Sequence, residues 1–287
     1  MIKNTNIKLL SVLVFGLYLF AGTTTAQNLE GGILIGGSNY NGDLSGRFID
    51  VTQSHMAGGV LVRYNLDERW TLKGYFGYGK ISGSDNHSTH NPYNFKRNLH
   101  FFSDIFEMSG HIEYNLLKID NRYYSRRPYV PYVFIGLGVY NFNPKTITNN
   151  TVYELQPLGT EGQGTTTYND LEKYALTQFC VPFGAGIKKK ISRRWTIGFE
   201  VGCRYTFTNY LDDVGGTYAS VGVIRNSNGE IAAILSDRSG DSNKGVPIFS
   251  EGDKRSNKQF KVNDMYFFGG LTITFKIKGK TLCPRFN

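Results

Sequence analysis

The stretch Trp195-Thr196-Ile197-Gly198-Phe199-Glu200-Val201-Gly202-Cys203-Arg204-Tyr205-Thr206-Phe207 decides the fold. Its odd positions are all apolar or aromatic, and its even positions are small, polar or charged. Side chains along a strand alternate sides, so this is one strand with an apolar face and a polar face. Strands of soluble sheets usually run about 5–6 residues. A strand twice that length suits a tilted crossing of a bilayer. The same alternation recurs in Met265 to Lys278, in Phe179 to Ile191 and in Val133 to Val139.

Working outward from these segments gives eight strands, near 30–39, 57–66, 69–81, 99–117, 130–142, 177–191, 195–209 and 264–278. Their connections alternate in length. Asp67-Glu68, the stretch 118–129 and Ser192-Arg193-Arg194 are short, while 40–56, 82–98, 143–176 and 210–263 are long. An even strand number with short turns at one end and long loops at the other predicts an all-β fold, an eight-stranded antiparallel up-and-down outer-membrane barrel. A soluble lipocalin-like barrel would turn its apolar face inward and rarely carries such long loops.

Composition agrees. The 287 residues include 34 Gly, 20 Phe and 19 Tyr but only 8 Pro and 4 Met. Mean hydropathy is negative, which excludes a bundle of membrane helices, and three cysteines exclude a disulfide scaffold. Residues 1–26 read as a signal peptide. Lys3 and Lys8 precede the apolar run Leu9 to Ala21, and Thr24-Thr25-Ala26 offers a cleavage site before Gln27. Residues 27–287 then form a single barrel domain in the outer membrane, with both termini periplasmic.

Parity places Arg63, Lys73, Glu107, His111, Glu113, Glu200 and Arg204 in a narrow lumen. Eight strands leave room for little more than side chains, and an unpaired buried charge is costly, so an internal ion-pair ladder is expected rather than a pore. The formal net charge is +9, and the excess cations gather at the short-turn end. Lys118, Arg122, Arg126 and Arg127 lie in one turn. Lys188, Lys189, Lys190, Arg193 and Arg194 surround another, and Lys278, Lys280 and Arg285 lie near the C-terminus. Such a basic rim can dock an acidic periplasmic partner or contact the phosphates of inner-leaflet lipid.

Catalytic chemistry has weaker support. Asp85, His87 and His90 share one long loop, and Asp212-Asp213 stand above another strand. Carboxylate and imidazole pairs at a barrel rim can activate water, and His87-Ser88-Thr89-His90 could hold a metal, but such residues are common in ordinary turns. The expectation is a protein without catalytic residues, metal, cofactor or nucleic-acid partner. Cys180 and Cys203 fall on opposite faces of neighbouring strands, so no disulfide joins them.

An ordered set of segments carries a family resemblance. It begins with Glu30-Gly31-Gly32, Tyr40-Asn41-Gly42-Asp43-Leu44 and Arg63-Tyr64-Asn65-Leu66. Arg97-Asn98-Leu99-His100-Phe101 with Glu107, Glu113-Tyr114-Asn115 and Pro131-Tyr132-Val133-Phe134-Ile135-Gly136 follow. Val181-Pro182-Phe183-Gly184-Ala185-Gly186, Tyr210-Leu211-Asp212-Asp213-Val214 and Cys283-Pro284-Arg285-Phe286 complete it. Together they resemble the PorG-type outer-membrane barrel of the type IX secretion system of Bacteroidetes. The resemblance implies a non-enzymatic scaffold, set in outer-membrane lipid, that associates with a periplasmic ring made by a lipoprotein and its partner protein. A generic small barrel acting in adhesion or surface structure through its long loops is the alternative.

Overall fold

Period-two patterning becomes a closed wall in the computed structural model, which describes residues 29–87, 92–118, 128–242, 246–256 and 263–277. The signal segment lies outside the described residues. Among the described residues ten strands form in chain order. They are β1 Leu29–Asn41, β2 His55–Asn65, β3 Trp70–Ser84, β4 His100–Asn115, β5 Tyr129–Phe142, β6 Lys145–Thr148, β7 Thr151–Glu154, β8 Thr177–Lys190, β9 Trp195–Thr206 and β10 Met265–Lys276. Eight make the barrel: each of β1 to β5 and β8 to β10 pairs antiparallel with its sequence neighbour in that set. The wall closes where β1 pairs β10, from Glu30 opposite Lys276 to Asn41 opposite Met265. Closure leaves no strand edge in the barrel. The β6–β7 hairpin belongs to a loop and meets the wall at β4, where Lys145 pairs with Phe102 and Thr146 donates to the His100 carbonyl at 2.9 Å.

The faces are distributed as in no soluble barrel. Outward residues such as Ile35, Val60, Phe76, Met108, Leu137, Phe199 and Leu271 are exposed, while Arg63, Lys73, Glu107, Glu113 and Arg204 are buried. Hydrocarbon demands this inversion, because only a closed ladder satisfies the backbone without water. Exposed Trp70, Tyr129 and Trp195 ring the short-turn end, and Tyr78, Phe106, Phe179 and Phe207 lie toward the other. Aromatic rings at both ends mark the two membrane interfaces.

Small residues inside the wall make room for large ones. A Cβ added at Gly184 would lie 2.2 Å from the Val201 carbonyl and 2.8 Å from the Phe134 ring. Pro182 interrupts the β5–β8 ladder, which lacks the pairs opposite Gly136 and Leu137, as an imino nitrogen without a proton requires.

At the opposite end from the short turns, the long connections fold into a cap. They contain α1 Pro92–Arg97, α2 Leu155–Leu158, α3 Val221–Asn228 and α4 Glu230–Ser236. One apolar core runs without a break from the lumen into this cap, joining Leu34, Tyr75 and Phe268 to Leu155, Leu211, Val214 and Leu235.

Candidate functional site: lumen, cap and basic turn

The lumen holds two charged clusters. In the first, nearer the short turns, Arg63 Nε lies 3.0 Å from Glu113 and Arg63 Nη2 lies 3.4 Å from Glu200. Lys73 Nζ approaches Glu200 at 2.7 Å and Glu113 at 3.3 Å. Tyr132 donates its hydroxyl to Glu200 at 2.7 Å. In the second, Arg204 Nε sits 2.9 Å from Glu107, which also accepts hydrogen bonds from Ser109 and Tyr266. Ser109 and His111 Nε2 are 2.9 Å apart. Each of these charges has an opposite neighbour, so the clusters hold strands β2, β3, β4 and β9 at fixed mutual positions. They fill the cross-section that an aqueous channel would need.

Lys188 corrects the basic rim expected from the sequence. It is buried, its Nζ lies 3.2 Å from Glu113, and it stands 4.7 Å from the centre of the Tyr132 ring. The reason is strand parity, since Cys180, Pro182, Gly184 and Gly186 share its inward face. The ammonium is therefore a member of the luminal network and unavailable to a partner. Lys190 is half-buried on the same parity.

The rest of that turn points outward. Lys189, Arg193 and Arg194 are exposed, and Lys189 lies over the Tyr129 ring at 4.9 Å. Ser192 Oγ accepts the Arg194 and Trp195 amides at 3.2 and 3.0 Å, fixing the backbone of the turn. Lys118 is exposed at the same end, 3.4 Å from Glu68. Arg122, Arg126, Arg127, Lys278, Lys280 and Arg285 lie outside the described residues.

In the cap, the carboxylates considered for catalysis are engaged in structure. Asp85 and Arg97 form a buried ion pair at 2.7 Å, and Asp85 also accepts the Leu99 amide at 2.9 Å. Burial still pushes the Asp85 carboxyl above its ordinary value, against the pull of Arg97. Arg97 further donates to the carbonyls of Asp43 and Arg255, so one guanidinium ties three loops together. Arg255 donates to the Asp213 carbonyl at 2.6 Å and pairs with Glu161 at 3.2 Å, adding the fourth loop.

Asp212 accepts the Tyr40 hydroxyl and the Val214 amide. Asp213 accepts from the hydroxyls of Tyr174, at 2.7 Å, and Thr160. Burial raises the Asp213 carboxyl to about 6, with Arg255, Thr160 and Tyr174 opposing. Its φ of 66° puts it in the left-handed region that Asp tolerates better than most residues. His90 lies outside the described residues, and only the backbone of His87 is described, in a short turn over Asp85–His87.

The carboxylates of Asp43, Asp212 and Asp264, all buried, offer oxygens within 4.8 Å of one another. These are the donor atoms a hard divalent cation takes. Each carboxylate is already engaged, Asp43 by Ser256, Asp212 by Tyr40 and Asp264 by the Leu211 amide. Sequence reading misses this convergence because the three residues come from separate segments of the chain. Cys180 is buried inward and Cys203 faces the other way, and neither is in a disulfide.

The model of a family described as "Domain of unknown function (DUF6089)" matches residues 7–230. No curated protein matches the sequence. Among solved structures, the N-terminal barrel domain of Pseudomonas aeruginosa OprF is 12% identical, with a TM-score of 0.36 over 87% of this chain and 97% of that one. Neisserial surface protein A is 7% identical, with a TM-score of 0.38 over 87% and 96%. Ail, the attachment invasion locus protein of Yersinia pestis, is 9% identical, with a TM-score of 0.36 over 86% and 97%. The fold assignment rests on the strand pairing itself.

Proposed function

Because the chain belongs to the DUF6089 family, a domain of unknown function, we propose its role from the barrel's own surfaces and from the family resemblance of its motifs. The protein is a non-enzymatic outer-membrane component of the type IX protein secretion machinery. Its short-turn end faces the periplasm and anchors the ring of a lipoprotein and its partner protein. The supporting observation is the turn that presents exposed Lys189, Arg193 and Arg194 together beside the membrane-interface residue Trp195. A cationic cluster steers and orients an acidic partner. Charges filling the lumen argue against a conduit, and the engaged carboxylates of the cap argue against hydrolysis.

The test reverses Lys189, Arg193 and Arg194 to glutamate together and measures ring proteins recovered with the tagged barrel from native membranes in mild detergent. Recovery should fall about tenfold, and high salt should abolish it for the unaltered protein. Unchanged recovery would remove the turn as the docking surface.

The four-loop cap supports a second reading, a surface-structural or adhesive barrel. Tyr218 and Asp253 are joined by a backbone hydrogen bond of 2.8 Å, so the segment between them can be excised at adjacent ends. An adhesin should lose its binding when 219–251 is removed, whereas a ring anchor should keep its ring.

A further inference from the structure

The connection between β1 and β2, residues 42–54, does not only join the cap. It folds back along the outside of the wall. Asn39 and Asn41 lie on the outward face of β1, as Ser82 does on β3. The loop covers these polar groups. Asn39 Nδ2 donates to the Asp50 carbonyl at 2.7 Å and to Ser54 at 2.9 Å. Asn41 donates to the Phe48 carbonyl at 3.2 Å, and Ser82 donates to buried Gln53 at 3.1 Å. Phe48 meets outward-facing Phe267 of β10 edge-on, ring centres 5.4 Å apart, and Phe267 is only 9% exposed.

The loop's outer surface carries an apolar stretch, flanked by exposed Arg47 on one side and exposed Thr52 and Ser54 on the other. Phe48 is 63% exposed, Ile49 49% and Val51 79%. Below it Met56 of β2 is 82% exposed, and the belt continues through Ile35 and Val60. Exposed Arg47 adjoins the apolar tip. Outward polar groups covered by a loop whose tip is itself apolar suit surroundings in which exposed polar groups are costly and apolar ones are not.

We propose that residues 47–51 form a lipid-embedded sheath on one side of the barrel. Phe48, Ile49 and Val51 enter the acyl chains of the outer leaflet, and Arg47 meets an anionic headgroup. The membrane boundary is then higher over β1, β2 and β10 than elsewhere. The inference rests on the membrane reading of the barrel but not on its role in secretion.

The experiment uses the full chain with Trp70→Phe and Trp195→Phe, reconstituted in phosphatidylcholine vesicles whose acyl chains are brominated near the headgroup end. A single tryptophan is introduced by F48W, by L137W in the mid-wall belt as a membrane reference, or by F95W in α1 as a cap reference. Retained shift on cold denaturing gels reports folding. The F48W protein should emit to the blue and lose about half its emission to the bromines, as an indole seated just below the headgroups would. The F95W protein should keep its emission. Emission from F48W that matches F95W, while L137W is quenched, would overturn the sheath and leave that face for a protein partner or water. Loss of quenching in L137W as well would overturn the membrane reading and the sheath together.

Discussion

Glu113 carries more charge neighbours than any other luminal acid described above, facing Arg63, Lys73 and Lys188 at 3.0 to 3.3 Å. Truncating it to alanine strands the buried Lys188 ammonium and leaves Arg63 and Lys73 to share Glu200, a change that should cost about 3–5 kcal/mol. Denaturant unfolding of the detergent-solubilised barrel would measure it. An unchanged midpoint would mean that water, rather than the carboxylate, compensates those cations. Asp213 yields a prediction of opposite kind. Its carboxyl is raised by burial from 3.8 to about 6, so in that interval the folded cap binds protons the unfolded chain has released. This group's contribution to stability therefore falls as pH rises through the interval and is level above it, a span worth at most about 3 kcal/mol. Asp213→Asn keeps a side chain that tolerates positive φ and removes the titration. Protection of the Tyr210–Gly216 amides, corrected for intrinsic exchange, should drop between about pH 4 and about pH 6 in the parent protein and stay flat in the variant. A drop of equal size in both would assign the dependence to another group.

At the scale of elements, the strands are legible because one rule, period two, operates within each of them. The luminal positions of Arg63, Lys73, Glu107, His111, Glu113, Glu200 and Arg204 can be read by the same counting. Lys188 is the exception because three consecutive lysines look like a turn, although counting from Cys180 by twos reaches Lys188 on the inner face. No periodicity could reveal the cap. Its order depends on bonds such as that from Arg97 to the Arg255 carbonyl, 158 residues away in sequence, and on Asp43, Asp212 and Asp264 meeting from distant segments. The sheath is equally hidden, since Phe48, Ile49 and Val51 follow no strand or helix period and acquire meaning only against Asn39 and Phe267.

For the whole molecule, the barrel is closed twice, by charge pairs within and by the cap above. Planar-bilayer recordings should show no steady conductance from the intact protein. Excision of 219–251 should leave the bilayer silent too, because the luminal clusters lie below the cut. Stable openings in the excised variant alone would show that the cap is the real seal. The pairing of β1 with β10 has a separate consequence, for the order in which the protein is made. Its partners lie more than two hundred residues apart, so this is the least local seam of the wall and can form only once the final strand is present. The Phe48 contact with Phe267 crosses that same seam from outside. The first loop thus works as a latch that catches only after the last strand has arrived, and unzipping has to lift it first. Removing the latch should hasten unfolding much more than it slows folding.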